Sequence, residues 1–191
     1  MARVDLADIR SSVTDTGRGL EIVVPARRRV FALLFLPFWL FFWTIGGLSA
    51  FAALLSPETP GGADLFMIVW LCGWALGEAA VVTTILWMLR GREVVTVDRD
   101  ALVVRREVFG VGPTQEYEAR HISNLRASPL PFGVGAYGSS PLALLRQGLG
   151  TIAFDYGAKT YRFGIAMEEA EARILIRQIE GKMPLPRTGA G

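Results

Sequence analysis

Two long apolar stretches dominate the pattern of this chain. Val30–Leu55 carries no charged side chain, and Leu65–Leu89 carries one, Glu78. Each stretch exceeds the ~20 residues that cross the ~30 Å hydrocarbon core of a bilayer. Only Ser56–Asp64 separates them, so the pattern predicts two transmembrane helices joined by a short external turn. About 29 mostly polar residues precede the first helix, which favours a retained anchor over a cleaved signal peptide.

After the second stretch, from residue 90 to 183, the hydrophobic period shortens to two, as in half-buried strands. Strands are predicted at Glu93–Asp98, Ala101–Phe109, Thr114–Arg120, His121–Arg126, Thr151–Tyr156 and Thr160–Phe163. A final helix is predicted from about Ala166 to Lys182. Its apolar stripe comprises Ala172, Leu175, Ile176, Ile179 and Met183.

The remaining segments complete a domain plan. Residues 1–18 are predicted to be flexible. Residues 19–29 form a first strand, Gly19–Pro25, with a basic flank, and this strand is expected to pair with the later ones. The Gly-, Pro- and Ser-rich segment 127–150 is predicted to be a long loop, and residues 184–191 a disordered tail. The predicted fold class is therefore an α+β membrane protein, with a helical hairpin inserted after the first strand and an antiparallel sheet domain closed by a C-terminal helix.

Arginine placement predicts the orientation of the hairpin. Arg27, Arg28 and Arg29 precede the first helix, whereas Arg90 and Arg92 follow the second. The turn at 56–64 contains neither Lys nor Arg. Because positive residues remain on the cytoplasmic side, both termini are expected to be cytoplasmic, in an inner membrane. The same arginines are expected to meet anionic lipid head groups.

Two features of the second apolar stretch are candidates for contacts within the membrane. Gly73 and Gly77 form a G-x-x-x-G pattern, which allows two helix backbones to approach closely, either within the hairpin or in a dimer. Glu78 lies near the middle of the stretch, where a carboxyl group is costly. It is expected to be a protonated residue bonded to Thr83, Thr44 or Ser49, a contact to a partner helix, or a proton relay in an oligomer.

Composition excludes several classes of function. The formal net charge is only +2, and no Lys/Arg-rich run with interleaved aromatic residues is present, so nucleic acid binding is not expected. A single cysteine, Cys72, cannot form an internal disulfide. One histidine and one cysteine do not make a zinc or copper site, and His121 lacks a positioned catalytic partner. No cofactor, metal or catalytic residue is predicted, and the chain is not expected to be an enzyme.

The layout resembles that of bacterial membrane-anchored PH-like (pleckstrin-homology-like) domain proteins. The residues that carry this resemblance are Glu93–Asp98, Ala101–Phe109, Ile122–Arg126, Thr151–Phe163 and the helix start at 163–172. The resemblance implies a curved, partly open β-barrel closed by a helix, acting as a binding or scaffolding module. Specific recognition of lipid phosphates is not expected, because Asp98 and Asp100 flank Arg99 at the first turn.

Two functional hypotheses follow from these patterns. The first is a non-catalytic, membrane-anchored scaffold or assembly module, with the lipid bilayer and another membrane protein, or a homo-oligomer, as partners. The alternative is a subunit of an oligomeric transporter or proton-conducting assembly that uses Glu78.

Overall fold

The structure is a computed structural model that describes residues 11–17, 19–56, 64–128, 150–165 and 167–183. The chain divides into two compact units, residues 28–89 and the remainder. The first unit is built from helices α1 (Val30–Leu54) and α2 (Asp64–Arg90). Both helices are long and apolar enough to span a membrane, and α1 contains no buried residue. Most of the predicted turn at 56–64 lies outside the described residues.

The second unit contains two antiparallel sheets and one helix, which confirms the α+β class. The described strands are β1 (Ser12–Asp15), β2 (Leu20–Pro25), β3 (Gly91–Val97), β4 (Ala101–Val108), β5 (Thr114–Glu118), β6 (Ile122–Ala127), β7 (Ile152–Tyr156) and β8 (Lys159–Phe163). Helix α3 (Glu169–Lys182) follows them. One sheet has the order β1-β2-β3-β4-β5 and the other β6-β7-β8, and over the described residues they do not close into a barrel.

The helical hairpin is inserted between two paired strands. Strand β2 pairs antiparallel with β3, from Leu20 opposite Val97 to Pro25 opposite Arg92. This pairing confirms the predicted role of the first strand. Of the predicted loop at 127–150, only its end residues are described, and Ala127 belongs to β6. The predicted tail at 184–191 lies outside the described residues.

The core lies between the two sheets and α3. Alternate side chains of the strands point inward, as a period of two requires, and Ile22, Val95 and Phe154 are among those almost fully buried. Helix α3 covers them with the predicted apolar stripe. Its members Ala172, Leu175, Ile176, Ile179 and Met183 are all buried, so this prediction is confirmed.

Strand β1 lies within the segment that the sequence predicted to be flexible. It is the edge strand beside β2, and its four residues are exposed. Long-range bonds hold it to α3. The backbone N–H and hydroxyl of Ser11 donate to the buried Glu171, and Lys182 Nζ donates to Asp15 Oδ2 at 2.8 Å. The bond from Lys182 lowers the pKa of Asp15.

A buried ion pair links the two sheets. Arg106 Nε on β4 lies 3.0 Å from Glu93 Oε1 on β3, and both side chains are about 95% buried or more. Glu93 Oε2 accepts hydrogen bonds from the backbone N–H groups of Gly164 (2.7 Å) and Ile165 (3.2 Å), just after β8. Arg106 Nη2 also donates to the Arg162 carbonyl oxygen. Because both carboxylate oxygens are occupied, burial of this charge is compensated.

Candidate functional site

The central carboxyl group of α2 is bonded within the hairpin. Thr44 Oγ1 on α1 lies 2.6 Å from Glu78 Oε1 and 2.9 Å from the Leu40 carbonyl oxygen. A hydroxyl has one proton, so Thr44 donates to only one of these oxygens at a time. A neutral carboxyl group would donate to Thr44 and leave the hydroxyl proton for Leu40. Of the three partners predicted for Glu78, Thr44 is the one whose hydroxyl lies within hydrogen-bond distance of the carboxyl group. The hydroxyls of Ser49 and Thr83 donate to carbonyl groups of their own helices.

Tryptophan rings fill the space between the two helices. The rings of Trp43 on α1 and Trp74 on α2 are stacked, with centroids 3.9 Å apart and planes 22° apart. Trp74 Nε1 donates to the Trp43 carbonyl oxygen at 3.2 Å. Glycine makes room for this stack, because a Cβ at Gly47 would lie 2.8 Å from Trp74 Nε1. Both tryptophans lie well inside their helices, but no local pattern in the sequence indicates that they stack on each other.

The two glycines of the G-x-x-x-G pattern have different surroundings. A Cβ at Gly77 would lie 3.7 Å from the Trp43 ring, so Gly77 faces α1. A Cβ at Gly73 would have no heavy atom within 4 Å. Cys72 beside it is exposed, and Leu76, one turn further along the helix, is 73% exposed. Gly73 is therefore the centre of an open notch on α2, which we call the Gly73 face, formed by Val69, Cys72, Gly73 and Leu76.

The basic residues at the helix ends are mostly exposed. Arg27, Arg28, Arg29 and Arg90 all belong to this exposed group. Arg28 Nη2 donates a long hydrogen bond of 3.4 Å to the Leu89 carbonyl oxygen. Arg90 occupies the last turn of α2, where a cation interacts favourably with the helix dipole. These positions leave the guanidinium groups accessible to anions.

Arg92 differs from the other flanking arginines because it lies on β3 and forms an ion pair within the sheet. Its Nε donates to Glu107 Oε1 on β4, and Arg105 Nε lies 2.8 Å from Glu107 Oε2. Glu107 is almost fully buried, whereas the two arginine side chains are about half exposed. Together the three side chains leave one net positive charge at this end of the sheet.

Several titratable groups in the described part of the sheet domain form local pairs. His121 Nδ1 lies 3.2 Å from Glu118 Oε2, and both side chains are about half exposed. Arg120 contacts the same carboxylate. No group of three or more His, Cys, Asp or Glu side chains in the described part of the chain is placed to hold a metal ion.

Besides Asp15, two residues of the sheet domain have shifted pKa values. Tyr117 packs edge-to-face on Phe154, with centroids 5.0 Å apart, and its hydroxyl donates to Gln115. Burial raises the pKa of Tyr117 to about 12. The other residue is Asp155, whose pKa is lowered by hydrogen bonds from its neighbours. In order of effect the donors are Thr160, Asn124 and Arg126.

The turn between β4 and β5 displays apolar side chains. Val108 and Val111 exchange two backbone hydrogen bonds across Phe109 and Gly110. Both central residues have positive φ, 54° and 82°, as a type I′ turn requires. Phe109 is 68% exposed and Val111 80% exposed. The hydrophobic pattern predicts Phe109 as the last residue of a strand, and Gly110, which follows it, is the signal for a tight turn.

Two surfaces therefore stand out among the described residues, the Gly73 face of α2 and the apolar turn at Phe109–Val111. Both present carbon-rich side chains to their surroundings. Comparisons of this chain with protein-family models, with curated proteins and with solved structures found no match.

Proposed function

We propose that this protein is a non-catalytic, membrane-anchored interaction module that binds another membrane protein. In this proposal α1 and α2 cross the inner membrane of a bacterium, and both termini and the sheet domain are cytoplasmic. Support comes from the length and apolarity of the helices and from the arginines that lie before α1 and at the end of α2. The sheet domain acts as a PH-like scaffold; its two sheets and closing helix are compatible with this role.

One observation carries the proposal: the packing of the hairpin accounts for three of its glycines but not for Gly73. The Trp74 ring lies against Gly46 and Gly47, and the Trp43 ring lies against Gly77. Gly73 meets nothing within 4 Å. In lipid, small residues allow helices to approach closely and to gain van der Waals contacts, so an unfilled notch suits a second helix.

The occupant we propose is a transmembrane helix of a partner protein. Leu76 and Val69, one turn to either side of Gly73, are 73% and 64% exposed and would flank such a helix. The carboxyl group of Glu78 is bonded to Thr44 inside the hairpin and therefore supports the fold of the hairpin rather than the contact to the partner.

A pair of matched substitutions tests the proposal. Gly73→Leu fills the notch, whereas Ala75→Leu adds a leucine to an exposed position about 200° away around the helix. The full-length variants are purified from native membranes in mild detergent, and their complexes are identified by mass spectrometry. We expect a stoichiometric partner with the wild type and Ala75→Leu, and its loss with Gly73→Leu. A partner retained by Gly73→Leu, or a wild-type protein that purifies alone as a monomer, would contradict the proposal.

The second candidate is a proton-conducting or transport subunit that works as an oligomer. The observation that favours it is the polar pair of Glu78 and Thr44 in the middle of two otherwise apolar helices. In vesicles reconstituted with the full-length protein, Glu78→Gln should abolish ion flux, while Thr44→Val, which keeps the carboxyl group, should retain part of it. Equal flux in the wild type and in Glu78→Gln would exclude the carboxyl group as a relay.

A further inference from the structure

In the β4–β5 turn, Phe109 has both an unfavourable backbone conformation and an exposed apolar side chain. A type I′ turn favours Asn, Asp or Gly at its first central position, because these residues tolerate positive φ. This chain has Phe109 there, at a φ of 54°. A bulky residue in this region is an outlier, and strained positions tend to cluster where the strain has a use. The ring is also 68% exposed, so contacts within the described sheet domain do not account for it.

The strand register places this turn at the end of the sheet where the chain leaves for the helices. Val108, the residue before Phe109, pairs with Gly91, and Gly91 directly follows the last residue of α2. On the other side, the Ala26 N–H donates to the Gly91 carbonyl oxygen, just before the basic flank begins. The chain therefore passes to α1 and returns from α2 at this same end of the sheet.

The distance from this end of the sheet to Phe109 is short. Paired Cα atoms in an antiparallel ladder lie ~5 Å apart, and one further residue adds ~4 Å. Phe109 is therefore within about 10 Å of Gly91, which is comparable to the depth of the boundary between head groups and acyl chains.

The charges around the turn suit an anionic surface. From residue 104 to 115 the chain contains one carboxylate, Glu107, and two arginines, of which Arg106 is buried and paired with Glu93. Glu107 is buried between Arg92 and Arg105, whose half-exposed side chains leave a net positive charge. An apolar tip beside a cationic patch is the combination that binds the interface of a bilayer with anionic lipids.

We propose that Phe109 and Val111 form an interfacial anchor that inserts into the head-group region of the same bilayer that holds the two helices. This inference rests on the proposed membrane anchorage. The anchor gives the sheet domain a third point of attachment and so limits its rotation about the two chain connections. The strain at Phe109 is tolerated because its ring contacts lipid.

The test uses the full-length protein in vesicles of phosphatidylcholine and phosphatidylglycerol, with a fluorescent label on a single cysteine. In a Cys72→Ala background, the label is attached at Val111→Cys, which keeps the Phe109 ring. Arg99→Cys is the matched control, since it lies at the opposite end of β3 and β4, about 23 Å away over seven strand residues. Quenching is measured with lipids that carry a spin label close to the head group or near the end of the acyl chain.

We expect loss of fluorescence at position 111 with the shallow quencher and no loss at position 99. Adding Phe109→Asn to Val111→Cys should restore the fluorescence, because Asn keeps the turn but removes the ring. Equal fluorescence at 111 and 99, or quenching at 111 that Phe109→Asn leaves unchanged, would overturn the anchor.

A label on the native Cys72 distinguishes failure of the anchor from failure of the membrane proposal. Quenching at Cys72 by the deep spin label, without quenching at position 111, would overturn the anchor alone. A Cys72 label that neither quencher reaches would overturn the membrane placement of α2, and the anchor with it.

Discussion

Replacing Glu93 by Gln tests whether one buried ion pair holds the two sheets together. Both oxygens of the Glu93 carboxylate accept from donors, one from Arg106 Nε and the other from the Gly164 and Ile165 N–H groups. Glutamine has one oxygen and one NH₂ group. Whichever way the amide is turned, its NH₂ group must face a donor, and the buried Arg106 loses its ion pair with Glu93.

The expected cost follows from the burial of the pair. Glu93 is 2% exposed and Arg106 is 4% exposed. Breaking a buried pair by removing one partner costs about 3–5 kcal/mol. Since about 1.4 kcal/mol corresponds to a tenfold change in an equilibrium constant, opening of the sheets should become roughly a hundredfold to several thousandfold more frequent.

Hydrogen exchange followed by mass spectrometry measures this change in the full-length protein in detergent. Peptides from β3 and β4 should exchange faster by that factor, because their amides exchange through opening of the sheet. Glu169→Gln is the control, since Glu169 forms an exposed pair with Arg173 worth at most about 0.5 kcal/mol. If Glu93→Gln changes exchange no more than this control does, the ion pair does not hold the sheets together.

A double substitution separates the buried charge from the link between the sheets. Replacing both Glu93 and Arg106 by Met removes the two buried charges together, and such replacements are often neutral or stabilising. The Gly164 and Ile165 N–H groups still lose their acceptor. The double variant should therefore exchange more slowly than Glu93→Gln but faster than the wild type.

Three further predictions concern other parts of the chain. Gly47→Val should displace the Trp74 ring and destabilise the hairpin by about 1–3 kcal/mol, whereas Gly73→Val should not. Tryptophan fluorescence during denaturation follows the helices, because all five tryptophans lie in α1 and α2. The raised pKa of Tyr117 gives stability that is complete below about pH 10 and is lost toward pH 12, so Tyr117→Phe should remove a late step in an ultraviolet titration of tyrosine. The lowered pKa of Asp155 gives stability that is present above about pH 4 and is lost as the pH falls further, so Asp155→Asn should weaken the acid dependence of unfolding. A titration without a late tyrosine step, or an unchanged acid dependence, would contradict the last two.

Patterns of short range allowed much of the fold to be predicted. The two apolar stretches gave the helix pair to within a residue or two at each described end, because length and apolarity are properties of a single segment. The alternation of apolar and polar residues predicted seven of the eight described strands, all except β1. The stripe from Ala172 to Met183 gave the buried face of α3, since a helix repeats every 3.6 residues.

Strand β1 shows where short-range patterns fail. Its run Ser12–Asp15 contains one apolar residue, so it has no usable period. It is a strand because β2 offers a free edge and because Glu171, 160 positions away in the chain, binds Ser11. A bond over such a separation leaves no local signal in the sequence.

The candidate sites divide in the same way. The sequence indicated Glu78, and Gly73 with Gly77, as candidate contact residues in the second apolar stretch, because the cost of a carboxyl group and the small size of glycine are visible in a single segment. It left three partners open for Glu78, and the rotation of α1 against α2 selects Thr44. The same rotation places tryptophan rings over Gly47 and Gly77 and leaves Gly73 open.

The sequence by itself determined the periods of this chain: two apolar helices, a set of strands and one amphipathic helix, each fixed by neighbours a few residues apart. The tertiary structure alone decided how charged and apolar side chains are paired or exposed. In the sequence, Glu93 and Arg106 look like ordinary charged strand residues. Strand register and sheet packing bring them together beside Gly164. In the sequence, Phe109 looks like a strand residue. In the structure it lies in a tight turn, and its ring is exposed. Register and packing depend on residues far apart in the chain, and for that reason a local pattern does not contain them.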